Sequence, residues 1–238
     1  MNDFLIKYYS FITKGVILIA AITGFILYKK YKKTPIKYFI LFIGYVVLVE
    51  FIAYYPTLLI KYESLTSLKL IIDKTVFRQN YWVYNLFWGI GSIIFFSVFY
   101  LKILKYKKYK LIVKSVLSIF LLSSILCIIF NWNDFFISSF PFFKISGTIL
   151  ILLYSVLFYI ETLESEESTN IFKSVNFYIC SILLIWWLVT GPVVFFEKYV
   201  FDADWDFIFL RWQIYLSANI FMYLGFALAF IFCKPEQE

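Results

Sequence analysis

Seven stretches of mostly apolar residues dominate the chain, at about 5–28, 38–60, 81–101, 111–131, 141–160, 174–196 and 208–232. Each holds the roughly 20 residues that a helix needs to cross a hydrocarbon layer about 30 Å thick. Of the 238 residues, 63% are hydrophobic and 24% aromatic. Soluble domains average about 45–50% apolar residues, so a soluble chain of this size could not hide so much apolar surface. The predicted fold is therefore all-α: a polytopic membrane protein built as one bundle of seven transmembrane helices across 1–238. The first run carries Lys7 and Lys14 and has no small-residue cleavage site after its apolar centre. It reads as an uncleaved first helix.

Lysine sets the expected orientation. The link 29–37 holds Lys29, Lys30, Lys32, Lys33 and Lys37. The link 102–114 holds Lys102, Lys105, Lys107, Lys108, Lys110 and Lys114. Both fall on the same side of a seven-helix bundle, and lysine-rich short links stay cytoplasmic. The N-terminus is then outside and the C-terminus, Lys234–Glu238, inside. The Glu161–Glu167 link dissents, but acidic residues weigh little in this rule. The expected location is the bacterial inner membrane. The net charge of +7 sits in juxtamembrane clusters, which implies a lipid bilayer with anionic headgroups as partner, and no nucleic acid. The longest link, 61–80, is expected outside with an interfacial helix presenting Leu65, Leu68, Ile72 and Val76 on one face.

The chain contains no histidine. That excludes histidine-based triads, HExxH zinc sites, histidine-ligated haem and phosphohistidine relays. Cys127, Cys180 and Cys233 lie inside apolar runs and read as small filler. Cys127 and Cys180 differ in depth by about 15 Å, too far for a disulfide. Asp202, Asp204 and Asp206 alternate like the start of a calcium loop. Phe207 stands where that loop needs glycine, and Gln213 where it needs glutamate, so no calcium site is expected. No nucleophile–base pair or metal cluster emerges, so neither cofactor nor catalysis is expected.

The informative residues are polar groups at one depth. Glu50 interrupts an otherwise apolar run about 20 Å above Lys37. Lys14 lies about 22 Å above Lys29, and Asn219 about 22 Å above Lys234. Trp186 and Trp187 come out near 20 Å by the same count from Lys173. Ionisable residues in hydrocarbon are costly and usually face a bundle interior or a wet cavity. The first two helices are antiparallel neighbours, so Lys14 and Glu50 are expected to pair across them. The expectation is a ligand cavity open to the outside, with Lys14 and Glu50 at its floor. Its wall candidates are Asn85, Trp88 and Trp187, followed by Thr190, Tyr215 and Asn219. Gly191-Pro192 would break the sixth helix at this level and turn backbone carbonyls toward the cavity. Gly89, Gly91 and Gly147 mark close helix approach. The competing readings are a structural ion pair, or Lys14 snorkelling along its own stem.

The topology resembles the microbial rhodopsins, but 208–233 contains no lysine to form a Schiff base, which argues against retinal. It also resembles the seven-helix sugar-transporter fold, whose Pro-Gln pair is missing. Three features together resemble small uncharacterised seven-helix bacterial membrane proteins. They are the intramembrane Glu50, the run Asn80-Tyr81-Trp82-Val83-Tyr84-Asn85, and Trp212, Asn219, Ile220 and Tyr223 in the last helix. That resemblance implies topology and no activity. The functional expectation is a receptor-like or sensory protein that binds a small ligand from outside and signals through a separate cytoplasmic or membrane partner. The alternatives are a small-solute transporter coupled through Glu50 and a structural subunit of a larger complex.

Overall fold

A computed structural model describes residues 2–164, 173–197 and 205–235. Within them, seven helices are long and apolar enough to cross a membrane. They are α1 (Asn2–Ile26), α2 (Ile36–Lys61), α3 (Tyr81–Ile103), α4 (Lys107–Phe130), α5 (Pro141–Glu164), α6 (Val175–Glu197) and α7 (Trp205–Phe232). The chain is a multi-pass membrane protein. Its apolar side chains point outward as well as inward. Phe11, Phe51 and Phe130 are 76%, 73% and 80% exposed, an arrangement that only lipid makes tolerable. Glu166, Glu167, Asp202, Asp204 and Glu238 lie outside the described residues.

The helices close into a ring. α1 packs against α2 and α7, α6 bridges α7 and α5, and α3 sits between α2 and α5. α4 lies outside this ring against α3 and α5, and its Leu111, Ile119 and Leu122 face outward.

The lysine-rich half is tightly packed. Phe39 of α2 meets Phe99 of α3 and Phe226 of α7, with ring centroids 5.3 and 4.7 Å apart. Such tilted and edge-on contacts favour aromatic pairs beyond their buried area. Buried hydroxyls pair across helices: Tyr100 with Ser155 at 2.7 Å, and Tyr154 with Ser97 at 3.2 Å. The end of α7 is tied to the α1–α2 link here. Lys30 Nζ donates to the carbonyls of Phe230 (3.0 Å) and Cys233 (2.8 Å), and Tyr31 donates to Phe230 at 2.8 Å. These carbonyls have no partner within the last turn of α7, and a cation at a helix C-terminus also complements its dipole. Burial pushes the Tyr31 phenol up to about 12, so it stays a donor at ordinary pH.

Glu161 is the surprise of this half. The 161–167 run reads in sequence as a solvated link, yet Glu161 is 7% exposed. Its Oε1 accepts the backbone N–H groups of Lys105 (2.6 Å) and Tyr106 (2.5 Å), just before α4 begins. It anchors the α3–α4 turn to α5. Glu164 behaves as the sequence suggests, pairing with Lys108 at 3.8 Å on the surface.

The interfacial helix of the 61–80 link is shorter than expected. It spans Thr66–Ile72 and exposes Leu68, Leu70 and Ile71, whereas Leu65 and Ile72 are half-buried and Val76 belongs to a separate 3₁₀ turn. The three cysteines are free thiols.

Candidate functional site

Two helix irregularities open the bundle at the end away from the lysine clusters. In α2 the chain turns at Tyr54, between helical segments Ile36–Ala53 and Tyr55–Lys61. Pro56 causes it, because proline has no N–H and its ring crowds the preceding turn. Asn80 Nδ2 donates to the freed Ala53 carbonyl at 2.7 Å. In α3 the segment Tyr84–Gly91 is a π-helix. Widening the turn displaces carbonyls from the regular ladder, and π segments are enriched at functional sites. Tyr45 donates to the Phe87 carbonyl at 2.7 Å. Ser92 donates to the Trp88 carbonyl. Gly91 is required here, since a Cβ at that position would collide with the Tyr45 hydroxyl.

Between these irregularities lies a cavity of about 460 Å³, walled by α1, α2, α3, α6 and α7. Ser10 and Thr57, both exposed, stand at its rim. Its volume lies within the range of about 300–1,000 Å³ usual for small-molecule pockets. Lys14, Glu50, Trp88, Tyr215 and Asn219 line it, so the structure brings together five of the eight residues expected from sequence.

The other three lie elsewhere. Asn85 is buried and holds the α4–α5 link: it donates to the carbonyls of Phe135 (2.8 Å) and Ser138 (2.9 Å) and accepts from the Phe140 N–H (3.2 Å). Trp187 turns toward α5, where Gly147 leaves room for its ring. Thr190 donates back to the Trp186 carbonyl at 2.8 Å, within its own helix. The Gly191-Pro192 break does not occur. α6 runs through both residues, and Gly191 instead lets Thr148 of α5 approach; a Cβ there would lie 2.7 Å from the Thr148 methyl.

Lys14 and Glu50 share the cavity without forming the expected ion pair; no salt bridge joins them among the described residues. Lys14 Nζ sits 4.0 Å from the centroid of the Tyr54 ring, a cation–π geometry. Glu50 Oε2 accepts from the Tyr84 hydroxyl at 3.4 Å, a long contact. Each of the two keeps hydrogen-bonding capacity for another group. Carboxylate and ammonium are thus both available within one recess.

Sequence reasoning missed several wall residues: Tyr9, Thr13, Tyr54, Tyr84, Trp186 and Tyr223. Trp186 packs edge-on against Trp88, with centroids 6.2 Å apart, and donates its indole N–H to Asn219 Oδ1 at 3.0 Å. Pro56 was the usable signal, since it marks the turn that brings Tyr54 to the cavity. Among the described residues no group of histidine, cysteine or carboxylate side chains could hold a metal. No family model matches the chain, and no curated protein or solved structure matches it either.

Proposed function

We propose that this chain is a receptor-like or sensory membrane protein that binds a small ligand in the Lys14–Glu50 cavity. One observation carries the reading: an ammonium and a carboxylate line the same recess without being paired to each other. A purely structural pair would have closed on itself, because leaving either ion alone in a low-dielectric bundle is costly. The cavity belongs to the half that the lysine distribution assigns to the outside of a bacterial inner membrane. The ligand therefore arrives from outside. Binding redistributes the π segment and the α2 turn, and a separate cytoplasmic or membrane partner reads the change at the lysine-rich end.

The aromatic cluster around Phe39 favours this reading over transport, because it fills the bundle beneath the cavity. Reconstituted liposomes test it. A solute that binds the purified chain should not cross the membrane with it; ligand-specific flux by the chain alone would make it a transporter coupled through Glu50.

A further inference from the structure

We propose that the cavity selects a small zwitterion: a molecule of the amino-acid class that carries an ammonium and a carboxylate together. This rests on the cavity being a ligand site, and it names the ligand's chemistry. A purely cationic ligand would satisfy Glu50 and leave Lys14 facing another positive charge. A purely anionic ligand would do the reverse. A zwitterion neutralises both and adds no net charge to the recess.

The neighbouring groups divide in the same way. Next to Lys14 in the chain, the Thr13 hydroxyl is buried in the cavity wall with no partner among the described residues. Asn219 has its orientation fixed chemically. The Trp186 indole N–H can only donate, so Asn219 must turn its oxygen to it. The Asn219 amide N–H groups then have no partner among the described residues, and the residue lines the cavity. Lys14, Thr13 and Asn219 are together a donor set for a carboxylate. Glu50 is the acceptor for the ammonium, held by Tyr84. The edge-to-face pair Trp88 and Trp186 gives an apolar wall for the body of the ligand.

The test uses the full chain in lipid nanodiscs, read by thermal unfolding and tryptophan fluorescence. The probes are two matched sets: phenylalanine with phenethylamine and hydrocinnamate, and leucine with isoamylamine and isocaproate. The expected result is that at least one amino acid binds about tenfold or more tightly than both of its single-charge analogues. Glu50→Gln should remove the advantage over the acid, and Lys14→Met the advantage over the amine. The comparison within the wild-type protein needs no variant to fold. Equal or tighter binding of an amine or an acid overturns the proposal, as does absence of binding by both amino acids. If a different small solute then binds, the receptor reading survives without its zwitterion. If an amino acid binds but is also carried into liposomes, the zwitterion stands and the receptor reading falls.

Discussion

Two glutamates, Glu50 and Glu161, occupy opposite halves of the same bundle and do different work. Glu161 is buried, and one of its oxygens gathers two backbone N–H groups within 2.6 Å, while the other has no hydrogen-bond partner among the described residues. Glu50 stands at a cavity and, among the described residues, has a single hydrogen-bond donor, a hydroxyl at 3.4 Å. The first carboxylate is spent on closing a turn; the second is available. The surroundings follow the same division. Around Glu161 the helices are regular and filled by aromatic rings, whereas around Glu50 one helix turns at a proline and another widens into a π segment. Charge inside a membrane bundle is thus tolerated in two ways, by giving one carboxylate oxygen two backbone donors or by giving the group access to a polar recess.

The comparison can be broken first at Glu161. Glu161→Ala removes the acceptor of two part-buried N–H groups and leaves a cavity at a buried position; an unsatisfied N–H costs about 1–3 kcal/mol when fully buried. A loss of about 3 kcal/mol is expected in detergent unfolding, and Glu161→Gln should recover part of it, because its amide oxygen still accepts. A loss below about 1 kcal/mol for the alanine variant would remove Glu161 from its structural role.

The next effect lies at the π segment. Gly91→Ala pushes a methyl into the Tyr45 hydroxyl and should cost about 1–3 kcal/mol. Adding Tyr45→Phe should make the double variant less destabilised than the two single effects predict, since the clashing atom is gone. Strict additivity would mean that the two residues do not meet.

The chain-end anchor is weaker. Lys30→Met leaves the last carbonyls of α7 without their cation and should cost about 1 kcal/mol or less.

The smallest stability effect is expected at the site itself. Glu50→Gln and Lys14→Met should each change stability by about 1 kcal/mol or less, and their double-mutant cycle should couple by no more than about 0.5 kcal/mol. A coupling of several kcal/mol would restore the direct ion pair and assign Glu50 the same kind of role as Glu161.

Depth was legible in the sequence and direction was not. Counting residues from lysine placed Lys14, Glu50 and Asn219 at one level, and the structure gathers all three around one cavity. Counting cannot say which way a side chain faces. Trp186 and Trp187 are at equal depth, yet the first reaches the cavity and the second turns to α5. Asn85 was misjudged for a related reason: the π segment changes the angular step along α3, so Trp88 and Asn85 face different neighbours than a regular helix would give. Tyr9, Tyr84 and Tyr223 were hidden by composition, since aromatic residues occur at every level of this chain. Glu161 was misread because a carboxylate at a helix end normally signals solvent, and its partners are backbone groups that leave no mark in the sequence.

Site-directed thiol labelling tests the central claim, that Glu50 faces an open recess at the outer end of the bundle. Cys127, Cys180 and Cys233 are first replaced, and Asn219→Cys is introduced beside the cavity. Ser124→Cys, at a position 1% exposed on α4, serves as the enclosed control. The account predicts that a small membrane-impermeant reagent modifies Asn219→Cys in intact cells and leaves Ser124→Cys untouched. Equal protection of both positions, or labelling of Asn219→Cys only after lysis, would contradict it.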